Sequence, residues 1–301
     1  MAMSEKFEEM QPHQPSLEHL RPRRHGAFWR SVDRDAVVMR EAQGAGLGRI
    51  ALESLRDRRE ELTAATIRER QGVAPEGHLN TVYLVALDSD RYGYLKPELE
   101  EAIDVRETSI PQLSQWRREV AACEVDRSLD FGLVPDTVAI SETEGDLGHS
   151  SLQSAVPFEG KAYEAYSMVD QQRMAVLDYL LANTDRHCLN YMTSALGRPA
   201  AIDNGLCLPE DDHSPMRSEW VRRSFGTPLD PLVMHEVMTC DEKTLVGKLA
   251  TLGISEAAIA GFSARLDEVR TKGCIDGSGW NGAIYGEDFF EDKRVRGATD
   301  Y

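Results

Sequence analysis

Apolar and polar positions fall into two periods along this chain. Over Thr81–Leu87, Val82, Leu84 and Ala86 alternate with Tyr83, Val85 and Leu87. A period of two predicts a strand. Asp88-Ser89-Asp90 then supplies a turn, and Tyr92–Leu95 reads as the return strand. Residues 112–129 read as a helix ending at Phe131-Gly132. A strand at Thr137–Ile140, a loop at Glu142–His149 and an extended stretch at Ser151–Val156 follow. From Tyr163 the pattern turns mainly helical. Met174, Leu177, Leu180 and Leu181 form one apolar stripe, and Leu232, Val237, Leu245, Leu249, Ile254, Ile259, Phe262 and Leu266 mark helices over 228–271. A hairpin interrupts them, pairing Tyr191–Thr193 with Ala200–Ile202 around Leu196-Gly197-Arg198. Upstream, Ile50, Leu52, Leu55 and Leu62 lie among dense Arg and Glu, which predicts a helix over 45–70 with a solvated face.

This order gives an α+β chain of two lobes. A disordered tail is expected at 1–25, a helical extension at 26–75, a small β-rich lobe with one helix at 76–157, and a larger α-rich lobe at 158–271. The Gly-rich, acidic stretch 272–301 reads as a tail.

Composition narrows the function. A chain of 301 residues, 41% hydrophobic, can bury one large core or two lobes sharing a cleft. No apolar run approaches the ~18 residues needed to cross a bilayer, and Met1–His25 lacks the apolar centre of a secretory signal. The net charge of −17 repels nucleic-acid phosphate and anionic lipid. Nucleic-acid partners are therefore not expected, and stable membrane association is disfavoured. Cys123, Cys188, Cys207, Cys240 and Cys274 form no CxxC pair, which fits reduced thiols and a cytoplasmic setting. The sequence holds no GxxxxGK[ST], no HExxH and no GxSxG.

The chemistry-bearing segment is Asn183-Thr184-Asp185-Arg186-His187-Cys188-Leu189-Asn190, followed by Ala201-Ile202-Asp203-Asn204-Gly205. Asp185 and Asn190 have the D-x-x-x-x-N spacing of a kinase catalytic loop, and Asp203-Asn204-Gly205 occupies the place of D-F-G. Phosphoryl transfer needs an acceptor hydroxyl aimed in line and cations on the phosphates. Asp185 is the candidate base. Asn190 and Asp203 supply oxygen donors for Mg²⁺ or Mn²⁺ beside ATP. The blander reading makes these Asp and Asn residues turn formers.

Lys96 ends the return strand, where a kinase holds the α- and β-phosphates of ATP. Glu119 lies three residues after Trp116 and four before Cys123, on one helix face. An acid there requires a partner, and Lys96 is the predicted one, with Glu124 as the fallback for Glu119. The alternative is a Glu119 that snorkels to solvent. The turn Gly77-His78-Leu79-Asn80-Thr81 is expected to cover the nucleotide, through Asn80 or Thr81. Ser151-Leu152-Gln153-Ser154-Ala155 fits the hinge that reads the adenine edge, which adds Gln153 and Ala155 to the ATP-binding set. His187 is assigned a loop-packing role.

Met174–Asn190 with Ala201–Pro209 resembles the atypical kinases grouped around phosphatidylinositol 3/4-kinases. The type II phosphatidylinositol 4-kinases resemble it most in Leu177-Asp178-Tyr179, Asn183-Thr184-Asp185-Arg186 and Ile202-Asp203-Asn204-Gly205. The chain is also similar to the Golgi casein kinase family, in Asp185-Arg186-His187, Asp203-Asn204-Gly205 and the Arg118-Glu119-Val120-Ala121-Ala122 helix, and more broadly to HipA-type kinases. The resemblance covers about 77–210 and implies a two-lobed protein-kinase-like fold. It implies transfer of the γ-phosphoryl group of ATP to a hydroxyl of a protein side chain or small molecule. A phosphoinositide substrate, nucleotidyl transfer and a pseudokinase regulator are the alternatives on the same fold. There is no A-P-E segment, so an ordinary activation loop is not expected.

Overall fold

The computed structural model describes residues 62–63, 67–72, 80–87, 91–102, 109–141, 147–211 and 213–286. The 77–79 part of the nucleotide-covering turn, the Asp88-Ser89-Asp90 turn and the tails at 1–25 and 287–301 lie outside them.

Alternation produces the small lobe. Strands β1 (Ile67–Gly72), β2 (Tyr83–Leu87), β3 (Tyr92–Pro97), β4 (Thr137–Ile140) and β5 (Ser150–Ser154) form one sheet in the order β1-β2-β3-β5-β4, each pair antiparallel. Val85, Leu87, Leu95, Val138 and Leu152 point to one side and close over Leu62. Lys96 follows Leu95, so the period of two turns it to the opposite side. Gly93 is required in β3: a Cβ there would lie 2.9 Å from the Gln153 carbonyl oxygen and 2.9 Å from Leu152 Cδ1. The strand at Ile67–Gly72 corrects the last part of the helix expected over 45–70, of which 45–61 and 64–66 lie outside the described residues. The sheet therefore starts inside the stretch read as a helical extension, because pairing with β2 overrides the Arg- and Glu-rich composition.

Helix α1 (Gln115–Leu129) carries no Gly or Pro, and Asp130, in the left-handed region at φ 58°, ends it. It is buried nearly all round: Val120, Ala121, Ala122, Cys123, Val125 and Leu129 are all sealed from solvent. One side meets β4 and β5, and the other joins the core of the large lobe.

The large lobe begins with a second sheet, β6 (Phe158–Glu159), β7 (Tyr191–Thr193) and β8 (Pro199–Ala201), in the order β6-β7-β8. Helix α2 (Met168–Leu181) starts at Ser167, whose hydroxyl accepts the Asp170 N–H, and buries Met174, Leu177, Leu180 and Leu181 as the stripe predicts. Beyond the candidate site come β9 (Met216–Arg217), α3 (Glu219–Ser224), α4 (Pro231–Thr239), α5 (Glu242–Thr251) and α6 (Glu256–Lys272). Ser218, Asp230, Asp241 and Ser255 cap these four helices. Val233, Val237, Leu245, Leu249, Phe262 and Leu266 fill the core between them. The first part of the expected tail belongs to this lobe. Ile275 and Trp280 are buried in its core, and β10 (Ile284–Tyr285) pairs in parallel with β9.

Candidate active site

Three segments converge where the lobes meet. Lys96 arrives on β3, Glu119 on α1, and the 183–190 and 203–208 segments flank the β7–β8 hairpin. Lys96 Nζ lies 2.5 Å from Glu119 Oε1 and 2.9 Å from Asp203 Oδ1. The pairing expected of Lys96 and Glu119 is present, and Asp203 joins it. Glu119 is 2% exposed, Lys96 18% and Asp203 51%, so the cluster opens from a sealed acid to a solvent-facing one. Burial works against the ammonium charge. Coulomb attraction and hydrogen bonds from Asp203 and Glu119 outweigh it and hold the Lys96 pKa above its ordinary value. Glu124, the fallback, instead pairs with Lys248 at 2.8 Å.

Glu119 also reaches across the lobes: its Oε2 accepts the Asn204 N–H at 3.0 Å. Asp203 itself is in the left-handed region at φ 55°, a conformation that aspartate tolerates better than most residues.

The 183–190 loop is shaped by its own polar groups. Asn183 Oδ1 accepts the Asp185 N–H at 2.9 Å. Asn190 Nδ2 donates to the Asp185 carbonyl at 2.8 Å and lies 3.4 Å from Asp185 Oδ2. With that nitrogen facing Asp185, the Asn190 amide oxygen is the atom a cation would meet. Ile202 N–H donates to the Asn190 carbonyl at 3.2 Å, which brings the approach to Asp203 against the loop. His187 Nδ1 accepts the Leu189 N–H at 3.2 Å, and its Nε2 lies 3.8 Å from Asp185 Oδ2. Beside Cys188 a cavity of about 280 Å³ opens between Lys161, Tyr163, Tyr191 and Arg223. Its charges are largely matched, since Arg223 pairs with Glu164 and Glu219.

A second cluster beneath the loop has no assigned role in the sequence reading. Asp178 and Arg186 are fully buried, 3.0 Å apart, and Ser218 Oγ donates to Asp178 at 2.7 Å. Burial pushes the Asp178 carboxyl up, opposed by Arg186 and the Ser218 hydroxyl. Arg186 Nη1 donates to the carbonyls of Asn190 and Ile202, and Nη2 to Asn204 Oδ1. One guanidinium thus holds the 183–190 loop, the end of the hairpin and the residue after Asp203. The available signal was Asp178 itself, an acid next to Leu177 in an apolar stripe, which requires a buried cation.

The other nucleotide assignments fare differently. Asn80 Nδ2 donates to Gln115 at 2.7 Å, and its Oδ1 accepts the Ala102 N–H at 2.8 Å. Gln153 donates its side-chain amide to Thr137 at 3.0 Å and pairs with Tyr94 and Thr137 on its two flanks. The Ala155 N–H donates to the Tyr92 carbonyl at 3.0 Å, and the Ser154 N–H to that of Asp136 at 2.9 Å. In this structure the Gln153, Ser154 and Ala155 donors are engaged in the sheet, and the Asn80 side chain ties α1 to the segment after β3. Thr81 lies beside Asn80 and is half-buried, its N–H directed at the Glu100 carbonyl at 3.4 Å.

No curated protein matches the chain. Residues 151–220 match the phosphatidylinositol 3- and 4-kinase family. Among solved structures, the Golgi casein kinase with Mn/ADP bound is similar over 77% of this chain and 79% of its own, with a TM-score of 0.53 at 14% identity. The Golgi casein kinase also matches in a second structure, over 73% and 75% (TM-score 0.48, 13% identity). The Helicobacter pylori proinflammatory kinase CtkA matches over 71% and 94% (TM-score 0.39, 13% identity). The first of these carries the fold. The chain has a kinase-like fold of two lobes, and its match to the phosphatidylinositol 3- and 4-kinase family lies over the 183–205 segments.

Proposed function

We propose that the protein transfers the γ-phosphoryl group of ATP to a hydroxyl of a protein side chain or a small molecule. The carrying observation is the Lys96–Glu119–Asp203 cluster, an ammonium aimed into the cleft by one sealed carboxylate and touching one open carboxylate. The donor set fits Mg²⁺ or Mn²⁺. Asp203 and the Asn190 amide oxygen are hard oxygen donors, held on segments that Arg186 ties together. A divalent cation bound there supplies neutralisation of charge on the phosphates. Lys96 holds the nucleotide phosphates and Glu119 keeps the ammonium aimed at them. Asp185 orients the acceptor hydroxyl and takes its proton as the oxygen bonds to the γ-phosphorus, the bond from that phosphorus to the β,γ-bridging oxygen breaks, and ADP leaves. A cytoplasmic setting is proposed from the five free cysteines.

The test is phosphate transfer or autophosphorylation with Mg²⁺ or Mn²⁺, in wild type and in Asp203→Ala. Loss in the variant supports the reading, and full activity would remove Asp203 from the metal site. The family match favours one second reading, a phosphoinositide acceptor. No helix among the described residues is long and apolar enough to cross a membrane, and the net charge of −17 works against docking on anionic lipid. Flotation with phosphoinositide vesicles separates the two: strong binding with lipid phosphorylation would displace the protein or small-molecule acceptor.

A further inference from the structure

The helix that carries Glu119 belongs to the large lobe as much as to the small one. Ala121, Ala122, Cys123, Val125 and Leu129 of α1 are continuous with the core built by α2, α4 and α6. At the N-terminal end of α1, the 204–208 segment lies along the first two turns. Gly205 packs so closely that a Cβ would come within 2.9 Å of Gln115 Cβ. The Asn204 N–H donates to Glu119. Next to Glu119, Arg118 is 1% exposed. Its Nε donates to the Cys207 carbonyl at 3.0 Å, its Nη2 lies 3.4 Å from the Leu208 carbonyl, and its Nη1 donates to Ser114 Oγ at 2.7 Å. In return, Cys207 Sγ lies 3.7 Å from the Arg118 carbonyl.

A buried guanidinium is expensive to place and requires several fixed acceptors. Here they include two carbonyls of the segment that follows Asp203, beside Ser114 at the start of the same helix and the Glu210 carboxylate at 3.9 Å. Arg118 stands one residue along the helix from the acid that aims Lys96. We propose that Arg118 is a positioning residue: it fastens α1 to the 204–208 segment, and so sets Glu119 against both Lys96 and the Asn204 N–H. The inference rests on the proposed kinase reading for its consequence. The lysine–glutamate pair is held by the large lobe in the resting chain, and no separate activating movement of α1 is needed to form it.

The experiment compares Arg118→Met, which keeps the length of the side chain and removes its fork, with Arg265→Met. Arg265 is a matched control: it is buried, it donates to the Leu180 carbonyl at 2.9 and 3.2 Å, and it lies in the large lobe away from the cleft. Two quantities are read: hydrogen exchange at the Asn204 amide, and affinity for Mg-ATP by calorimetry. Arg118→Met is expected to lose protection at Asn204 and to weaken Mg-ATP binding, with kcat/KM for Mg-ATP falling by up to about 10²-fold, the scale of a 1 Å misplacement. Arg265→Met is expected to lower Tm while leaving both readouts unchanged. Should Arg118→Met fail to fold, Arg118→Lys replaces it, because a point charge cannot serve both carbonyls and gives a partial loss. Unchanged Asn204 protection and Mg-ATP affinity in the Arg118 variants, or equal losses in Arg265→Met, would overturn the assignment. If wild type fails to bind Mg-ATP, the kinase reading falls, while exchange at Asn204 still decides whether Arg118 fixes α1.

Discussion

Two charged clusters meet at the floor of the cleft and differ in what surrounds them. Asp178 and Arg186 are sealed, and the guanidinium is committed to Asp178, two backbone carbonyls and Asn204. Lys96 and Asp203 face the cleft, with Asp203 about half exposed. A sealed pair has no partner to exchange, because a charge left alone in the interior is costly. An open pair can trade one carboxylate for another anion, such as a phosphate oxygen. The difference separates a clamp that shapes the 183–190 loop from a group that responds to ligand.

The largest test of that division is Asp185→Ala. Asp185 belongs to the loop shaped by the sealed cluster, and its carboxylate lies 3.4 Å from Asn190 Nδ2 and 3.8 Å from His187 Nε2. Its removal is expected to lower turnover by roughly 10²–10⁴-fold, the usual worth of a positioned acid–base group, and to leave Mg-ATP affinity within a few-fold of wild type. Single-turnover kinetics and a nucleotide titration measure the two separately. Equal loss in both would mean that the residue shapes the site instead of acting in it.

Asp178→Ala probes the clamp. It leaves Arg186 buried without its counter-charge, and destabilisation of about 3–5 kcal/mol is expected, read from urea unfolding. A stability within 1 kcal/mol (about the value of an exposed pair) would show that the cluster is not the clamp described. Lys96→Arg probes the open cluster: folding is expected to persist, while affinity for ATP falls by about 10–100-fold, the range of one hydrogen bond to a charged group. A planar guanidinium does not reproduce a point-like ammonium between Glu119 and Asp203. Wild-type affinity in this variant would remove Lys96 from phosphate binding.

The contrast between clusters also explains what the sequence made legible. Lys96, Glu119, Asp185, Asn190 and Asp203 could be placed because each is a chemistry-bearing residue at a spacing that local structure dictates: a strand end, a helix face, a loop, a hairpin end. Arg186 and Asn204 stood inside the same motifs, but their role depends on Asp178 and on carbonyls distant in sequence, and spacing says nothing of these. The partners of Asn80, Gln153 and Ala155 were hidden for a related reason: Asn80 bonds Gln115, Gln153 pairs with Tyr94, and the Ala155 N–H goes to Tyr92, none of which spacing indicates. The strand at Ile67–Gly72 was hidden by charge-rich composition, and the buried Trp280 by a Gly-rich context. The first is fixed by pairing with β2 and the second by packing against α6, where Arg265 lies over its ring, and neither contact shows in composition.

The last test concerns a third acid, on the same helix as Glu119 but without a Lys96. Asp126 is sealed at the far end of α1, where both carboxylate oxygens accept the Leu133 N–H, at 3.0 and 3.1 Å. Burial pushes its pKa up to about 7, opposed by the N–H groups of Leu133 and Val134 and by Arg198. The folded state therefore holds this proton more tightly than the unfolded chain, whose carboxyl titrates near 3.8. The resulting stability is complete below that lower value and is lost as pH rises through about 7, with a slope of at most about 1.4 kcal/mol per pH unit. Glu119 meets burial with a cation, whereas Asp126 meets it mainly with backbone donors. Asp126→Asn, neutral at every pH, should flatten the difference in urea stability between pH 4 and pH 7 while leaving Mg-ATP affinity untouched. Parallel pH profiles for the variant and wild type would show that Asp126 stays ionised throughout this range, and that backbone N–H groups alone can do for it what Lys96 does for Glu119.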